Sequence, residues 1–183
     1  RGVNTHVENE GIALRGSVDV SDNWSLYGSL GRALHHNVGQ PQGTRVVLNA
    51  AGDGSAVGQT YNLEGYTHNT SWEAGLRGKL QTGAVAHQLV LSYNSLNQQS
   101  GRALPIAVSP NYTTNIYNPV DPTMPPGRGA VKQENDNDIT SLAIADTLSF
   151  AQDKVMLTLG ARHQRVHQKM KGYDETAVTP ALG

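Results

Sequence analysis

A two-residue alternation constrains this chain more than any other feature. Between Lys154 and Gln164, Val155, Leu157, Leu159 and Ala161 share one side of an extended chain, and Thr158, Gly160, Arg162 and Gln164 share the other. Successive side chains of a strand point to opposite faces, whereas a helix scatters such a set around its axis. The pattern rejects a helix here and predicts a strand. Alternation over about ten residues is also the length of a tilted strand that crosses a bilayer.

Six such segments form three hairpins. The first pairs Glu10–Val20 with Asn23–His35 across Ser21-Asp22. Ile12, Leu14, Gly16 and Val18 lie on one face, with Trp24, Leu26, Gly28 and Leu30 as their counterparts in the partner. The second pairs Asn69–Gln81 with Val85–Asn97 across Thr82-Gly83-Ala84. Trp72, Ala74, Leu76, Gly78 and Leu80 alternate there with Glu73, Gly75, Arg77, Lys79 and Gln81. The third pairs Asp138–Phe150 with Lys154–Val166 across Ala151-Gln152-Asp153, and a further strand begins at the C-terminal end. Asp146 breaks the rule, falling in register with Leu142, Ile144, Leu148 and Phe150. A bulge would move it to the polar face; otherwise a position near the rim would let its carboxylate reach water.

Short joints alternate strictly with long ones. His36–His68 is rich in Gly, Gln and Asn and holds a small hairpin candidate, Arg45–Ala50 with Ala56–Tyr61, around Gly52-Asp53-Gly54. Gln98–Asn137 holds most of the prolines. Outer-membrane barrels show this asymmetry, with short turns at one rim and long loops at the other. The chain has 183 residues, 20 of them glycine, with 16% charged and a formal net charge of −1. That balance gives no reason to expect nucleic acid as a partner. The absence of cysteine excludes disulfides and thiolate metal sites within the chain. No run of about 18 apolar residues is present, so no transmembrane helix is expected. The low mean hydropathy does not argue against a membrane barrel, in which only alternate strand residues meet lipid. The fold expectation is all-β: antiparallel up-and-down β-hairpins, about six strands, forming part of a transmembrane β-barrel. Both ends of the sequence read as cuts within a longer protein. In water such a sheet would have to fold over, pair with another copy, or belong to a larger assembly.

Several phrases carry a resemblance. They are Leu142-Ala143-Ile144-Ala145-Asp146-Thr147-Leu148-Ser149-Phe150, Leu157-Thr158-Leu159-Gly160-Ala161-Arg162-His163-Gln164, Tyr173-Asp174 and Thr179-Pro180-Ala181-Leu182-Gly183. His68-Asn69-Thr70-Ser71-Trp72-Glu73-Ala74-Gly75-Leu76-Arg77-Gly78, Ala86 to Leu91 and the loop Asn115-Ile116-Tyr117-Asn118-Pro119 belong with them. From about Asn69 onward the chain resembles the barrel of TonB-dependent siderophore receptors, in the branch that takes up ferric hydroxamates. The resemblance implies a Gram-negative outer-membrane location and a parent barrel of about 22 strands around a plug. It also implies a ferric siderophore as cargo, outer-membrane lipid around the wall, and a TonB-type energy transducer acting through the plug domain. No plug or coupling box is recognisable in residues 1–183, which read as a partial barrel domain.

Loop residues Arg102, Tyr112, Tyr117 and Arg128 are the candidate ligand-binding groups, since aromatic faces and guanidinium forks suit the rim of a ferric siderophore. The plain alternative is that they contact one another or water. His35-His36 and His163–His167 are the metal-like spacings. Adjacent strand residues point apart, and residues four apart lie about 13 Å apart, so no metal site is expected. Iron would arrive already chelated, and no cofactor is implied. Arg15, Arg77, Lys79 and Arg162 lie with Asp19 and Glu73 on the polar face, which is either a lumen lining or a solvated sheet face. Trp24 and Trp72 are either members of an aromatic girdle or core anchors. No Ser–His–Asp set, phosphate loop or carboxylate pair stands out, so the chain is expected not to be an enzyme. Two other readings stand beside the receptor: a soluble all-β binding or adhesion module with long variable loops, and an outer-membrane barrel enzyme. A sandwich would bury Leu76, Leu80, Leu89, Leu157 and Leu159, whereas a receptor wall would turn them to lipid.

Overall fold

The computed structural model describes residues 5–39, 44–125, 127–151 and 154–183. Ten strands and no helix occur among them: β1 (Thr5–Ser21), β2 (Trp24–Gly39), β3 (Thr44–Leu48), β4 (Ser55–Thr82), β5 (Val85–Ala103), β6 (Ala107–Val108), β7 (Tyr112–Asn115), β8 (Val131–Phe150), β9 (Val155–Gln168) and β10 (Tyr173–Leu182). Seven follow one another in the order β1-β2-β4-β5-β8-β9-β10, while β3, β6 and β7 each pair with β4. This is the expected up-and-down arrangement, with β10 as the further strand expected at the C-terminal end. The sheet is not closed, since β1 and β10 stand at opposite ends of the order.

The chain divides into two compact units. Unit 1 comprises Arg1–Glu10, Leu34–Thr67 and Ser100–Glu134; unit 2 comprises Gly11–Ala33, His68–Gln99 and Asn135–Gly183.

Unit 2 contains the alternating hairpins. Its β8–β9 register runs without interruption from Asn137↔Gln168 to Phe150↔Val155, and β9–β10 continues it from Tyr173↔Gln168 to Leu182↔Leu159. Directly opposed residues share a face, so Leu142, Ile144, Leu159, Val178 and Leu182 form one apolar surface. No layer covers it: Ile144 is 56% exposed, Val178 68% and Leu182 78%. The same holds at the other end, where Ile12 is 75% exposed. None of Leu76, Leu80, Leu89, Leu157 and Leu159 is buried. The unit is therefore a single sheet layer, and the alternative of a sandwich, which would bury these leucines, is not met among the described residues. Gln152 and Asp153, in the predicted β8–β9 turn, lie outside the described residues.

Glycines on this wall make room for aromatic rings. A Cβ at Gly78 would lie 2.3 Å from the Trp24 ring, and one at Gly75 would lie 2.2 Å from the Tyr27 ring. Gly78 belongs to the apolar face of β4 and Gly75 to its polar face, so each side of the β2–β4 pair has one ring seated over one glycine. A bulkier residue at either position would force the ring away, which helps fix the register of the pair.

Unit 1 holds a smaller sheet built on the first part of β4. β3 pairs with it from Thr44↔Thr60 to Leu48↔Ala56, and β7 from Gly58↔Tyr112 to Ser55↔Asn115. The predicted small hairpin is present, and its turn uses Gly52 (φ 72°) and Gly54 (φ 81°), conformations that L side chains rarely adopt. Ala56, Ala103 and Ala107 are the buried apolar residues among those described. Thr60 is fully buried. Its N–H donates to Ser109 Oγ at 2.9 Å, its hydroxyl donates to the Thr123 carbonyl, and its own carbonyl accepts from the Ser109 N–H at 2.9 Å.

Candidate functional site

All four predicted loop residues fall in unit 1. Arg102 stands near the end of β5, and its Nε lies 2.8 Å from Glu134 Oε2 of β8. Arg128 Nε donates to Glu64 Oε2 of β4 at 2.6 Å, and its Nη1 reaches Asn62 Oδ1 at 3.4 Å. Both guanidinium groups thus already hold a carboxylate. Tyr112 opens β7 with its ring packed over Gly58. Tyr117 follows β7, is 79% exposed, and rests its ring against Gly54. Its N–H donates to Asn115 Oδ1 at 2.9 Å.

A cavity of about 520 Å³ opens in the same unit. Asn37 of β2, Tyr61 and Tyr66 of β4, Arg102 and Glu134 are in its lining, with Ile106 from the following loop. That size falls in the range of small-molecule sites. The cavity takes in Arg102 and, through Glu64 in its wall, the Glu64–Arg128 pair; it does not take in Tyr112 or Tyr117. Sequence reasoning missed Tyr61, Tyr66, Glu64 and Glu134, which line this cavity. Glu64 and Tyr66 sit in a polar, Gly65-containing stretch that reads as loop in the sequence.

Glu64 lies outside the alternating wall. The Arg128 hydrogen bond holds its carboxyl below the usual range, with a further contribution from His36. His36 Nε2 is 3.2 Å from Glu64 Oε1, and its Nδ1 is 3.9 Å from Glu8 Oε2. Glu8 in turn meets His6 Nε2 at 2.8 Å. The groups form a connected run, His6–Glu8–His36–Glu64–Arg128, that takes in β1, β2 and β4. In the Gly52–Gly54 turn, Asp53 accepts from the Ser55 N–H at 2.9 Å, which lowers its carboxyl. Asp53 therefore acts as a turn residue, as its sequence context suggests.

In unit 2, Arg77 sits 4.2 Å over the Tyr27 ring on the polar face. Trp72 and Tyr93 meet on the apolar face with ring centroids 5.1 Å apart. With no second layer over it and 41% of its surface exposed, Trp72 is not a core anchor. Asp146 stays on the apolar face, because the unbroken β8–β9 register leaves no bulge. His87 of β5 meets it instead, with Nδ1 2.8 Å from Asp146 Oδ2. Among the described residues no group of three or more His, Cys, Asp or Glu is arranged to hold a metal ion.

An uncovered, alternating, up-and-down sheet whose short turns alternate with long connections along the chain defines a barrel-wall protein of the outer-membrane type. Comparison with known proteins makes the class specific. The family described as "TonB dependent receptor-like, beta-barrel" matches residues 4–183, and the chain belongs to this family. Members of this family are outer-membrane β-barrels. The ferrichrome receptor FcuA of Yersinia enterocolitica is 33% identical over 171 residues, 90% of this chain and 22% of that protein. The crystal structure of BauA, the ferric preacinetobactin receptor of Acinetobacter baumannii, superposes with a TM-score of 0.80 at 28% identity, covering 97% of this chain and 28% of that one. The pyoverdine outer-membrane receptor FpvA of Pseudomonas aeruginosa shares the fold, with a TM-score of 0.71 at 18% identity, covering 99% of this chain and 28% of that one. The chain therefore spans about a fifth of the length of its curated relative. These relatives are receptors, not enzymes.

Proposed function

We propose that this chain is part of the barrel wall, with its loops, of an outer-membrane receptor that takes up ferric siderophores with energy from a TonB-type transducer. The observation that carries this reading is the uncovered apolar face of unit 2. In water, leaving a Leu or Ile side chain exposed forgoes about 1.5–3 kcal/mol, whereas lipid supplies the missing contact. A wall of this kind also accounts for an unclosed sheet: β1 and β10 pair with further strands of a complete barrel, and the sheet need not fold over or dimerise. Residues 1–183 then form a partial barrel domain, and the plug through which the transducer acts lies elsewhere in the receptor. Trp72 and Tyr93 belong to an aromatic girdle at one membrane interface.

Unit 1 supplies loops that meet the cargo. Arg102, Tyr112, Tyr117 and Arg128 are the proposed ligand-contacting residues, with Arg102 in the cavity and the exposed Tyr117 ring offering an aromatic face. The name of the curated relative points to a ferric hydroxamate as cargo. Iron comes and goes inside its chelator, so the protein needs no metal ligands and performs no catalytic step.

The test is uptake of iron as ferrichrome by cells expressing the full-length parent gene, compared with a variant whose loop 109–125 is replaced by a short Gly/Ser linker. The expected result is energy-dependent uptake by the intact protein, and its loss in the variant while the barrel still reaches the outer membrane. Absence of ferric-siderophore uptake by the intact protein would refute the reading.

A further inference from the structure

We propose that Glu134 sets the charge selectivity of the unit 1 cavity by holding Arg102, so that the site favours a net-neutral ferric chelate over an anionic one. This rests on the receptor reading above. The cavity lining contains one guanidinium group, Arg102, and two carboxylates, Glu64 and Glu134. Arg102 is taken by Glu134 at 2.8 Å, and Glu64 by Arg128 at 2.6 Å. Each guanidinium is matched by a carboxylate, and neither Arg–Glu pair has surplus positive charge to offer.

Arg102 is still within reach of a ligand, with its side chain 54% exposed. An anionic chelate approaching it must displace Glu134 or sit beside that carboxylate, and like charges so placed are disfavoured. A chelate whose donor anions just offset the iron charge, such as a ferric trihydroxamate, meets no such repulsion. It can accept hydrogen bonds from guanidinium N–H groups beyond those a single carboxylate takes up. Glu134 is thus a specificity-determining residue that acts through Arg102.

The experiment measures binding of two probes, a neutral ferric trihydroxamate and an anionic ferric tris-catecholate, to the full-length receptor in outer membranes. Wild type, Glu134→Gln and Arg102→Gln are compared at equal receptor levels. Glu134→Gln frees the guanidinium, and the catecholate-to-hydroxamate affinity ratio is expected to rise about fivefold, the upper range for losing one exposed ion-pair partner. Arg102→Gln leaves Glu134 unopposed, and the ratio is expected to fall. The two variants shift the ratio in opposite directions, so a general loss of structure cannot mimic the pattern. An unchanged ratio in both variants, with hydroxamate still bound, would overturn the charge inference and leave the receptor reading intact. Failure of the wild type to bind either chelate would sink the receptor reading and this inference with it.

Discussion

At the scale of single residues, the wall depends on glycines as much as on leucines. Gly78 is buried beneath the Trp24 ring, whereas Gly16 has open space where its Cβ would go. Replacing Gly78 with Leu should force the ring from its seat and cost about 1–3 kcal/mol through overpacking. Gly16→Ala should change stability by less than about 1 kcal/mol. The readout is the temperature at which the full-length receptor in detergent loses its folded electrophoretic mobility: Gly78→Leu lowers it and Gly16→Ala does not. Alternation alone announces which face Gly78 occupies. It gives no hint that a tryptophan on the neighbouring strand rests there, because that contact depends on the stagger between β2 and β4. Asp146 shows the same limit. Its misfit with the apolar face is visible in the sequence, but its partner, His87, is 59 residues away and becomes a neighbour only when β5 pairs with β8.

At the scale of elements, β4 is the main departure from the sequence reading. The pattern predicts two separate strands, Ala56–Tyr61 and Asn69–Gln81, with a loop between them; the chain instead runs as one strand of 28 residues. The joining segment is polar and contains Gly65, which hides a strand from pattern reading. It stays extended where β6 pairs with Tyr61 and Asn62. β5 and β8 likewise end and begin further into the predicted loops. The cavity residues are illegible for this reason: Glu64 and Tyr66 become site residues only once the loop is seen to be strand. The loop leaving β6 is tied to β4 at Ser109, whose hydroxyl accepts the buried Thr60 N–H. Ser109→Ala removes that acceptor, and an unpaired buried N–H costs about 1–3 kcal/mol. Limited proteolysis of the full-length receptor should then cut within residues 110–125 sooner than in wild type. Unchanged cleavage would show that Ser109 does not restrain the loop.

At the scale of the molecule, everything turns on what faces the apolar side of the sheet. Strand order, hairpin pairing and the apolar face are all legible from period-two alternation, because a single sheet layer needs no second layer to complete its pattern. The number of strands in a complete barrel is not encoded locally, and the chain spans 22% of the length of the curated relative. The most direct test uses a cysteine-free form of the full-length receptor, to which this chain contributes no native cysteine. Single cysteines placed at Ser141, Leu142, Ala143, Ile144, Ala145 and Leu148 of β8 in the full-length receptor would be spin-labelled in lipid bilayers. Collisions with lipid-soluble oxygen and with a water-soluble nickel chelate are then compared. Labels at 142, 144 and 148 should meet oxygen and exclude nickel, while those at 141, 143 and 145 should lack this lipid signature. Equal access to nickel at all six positions, or the opposite alternation, would contradict the claim that this sheet is a membrane wall.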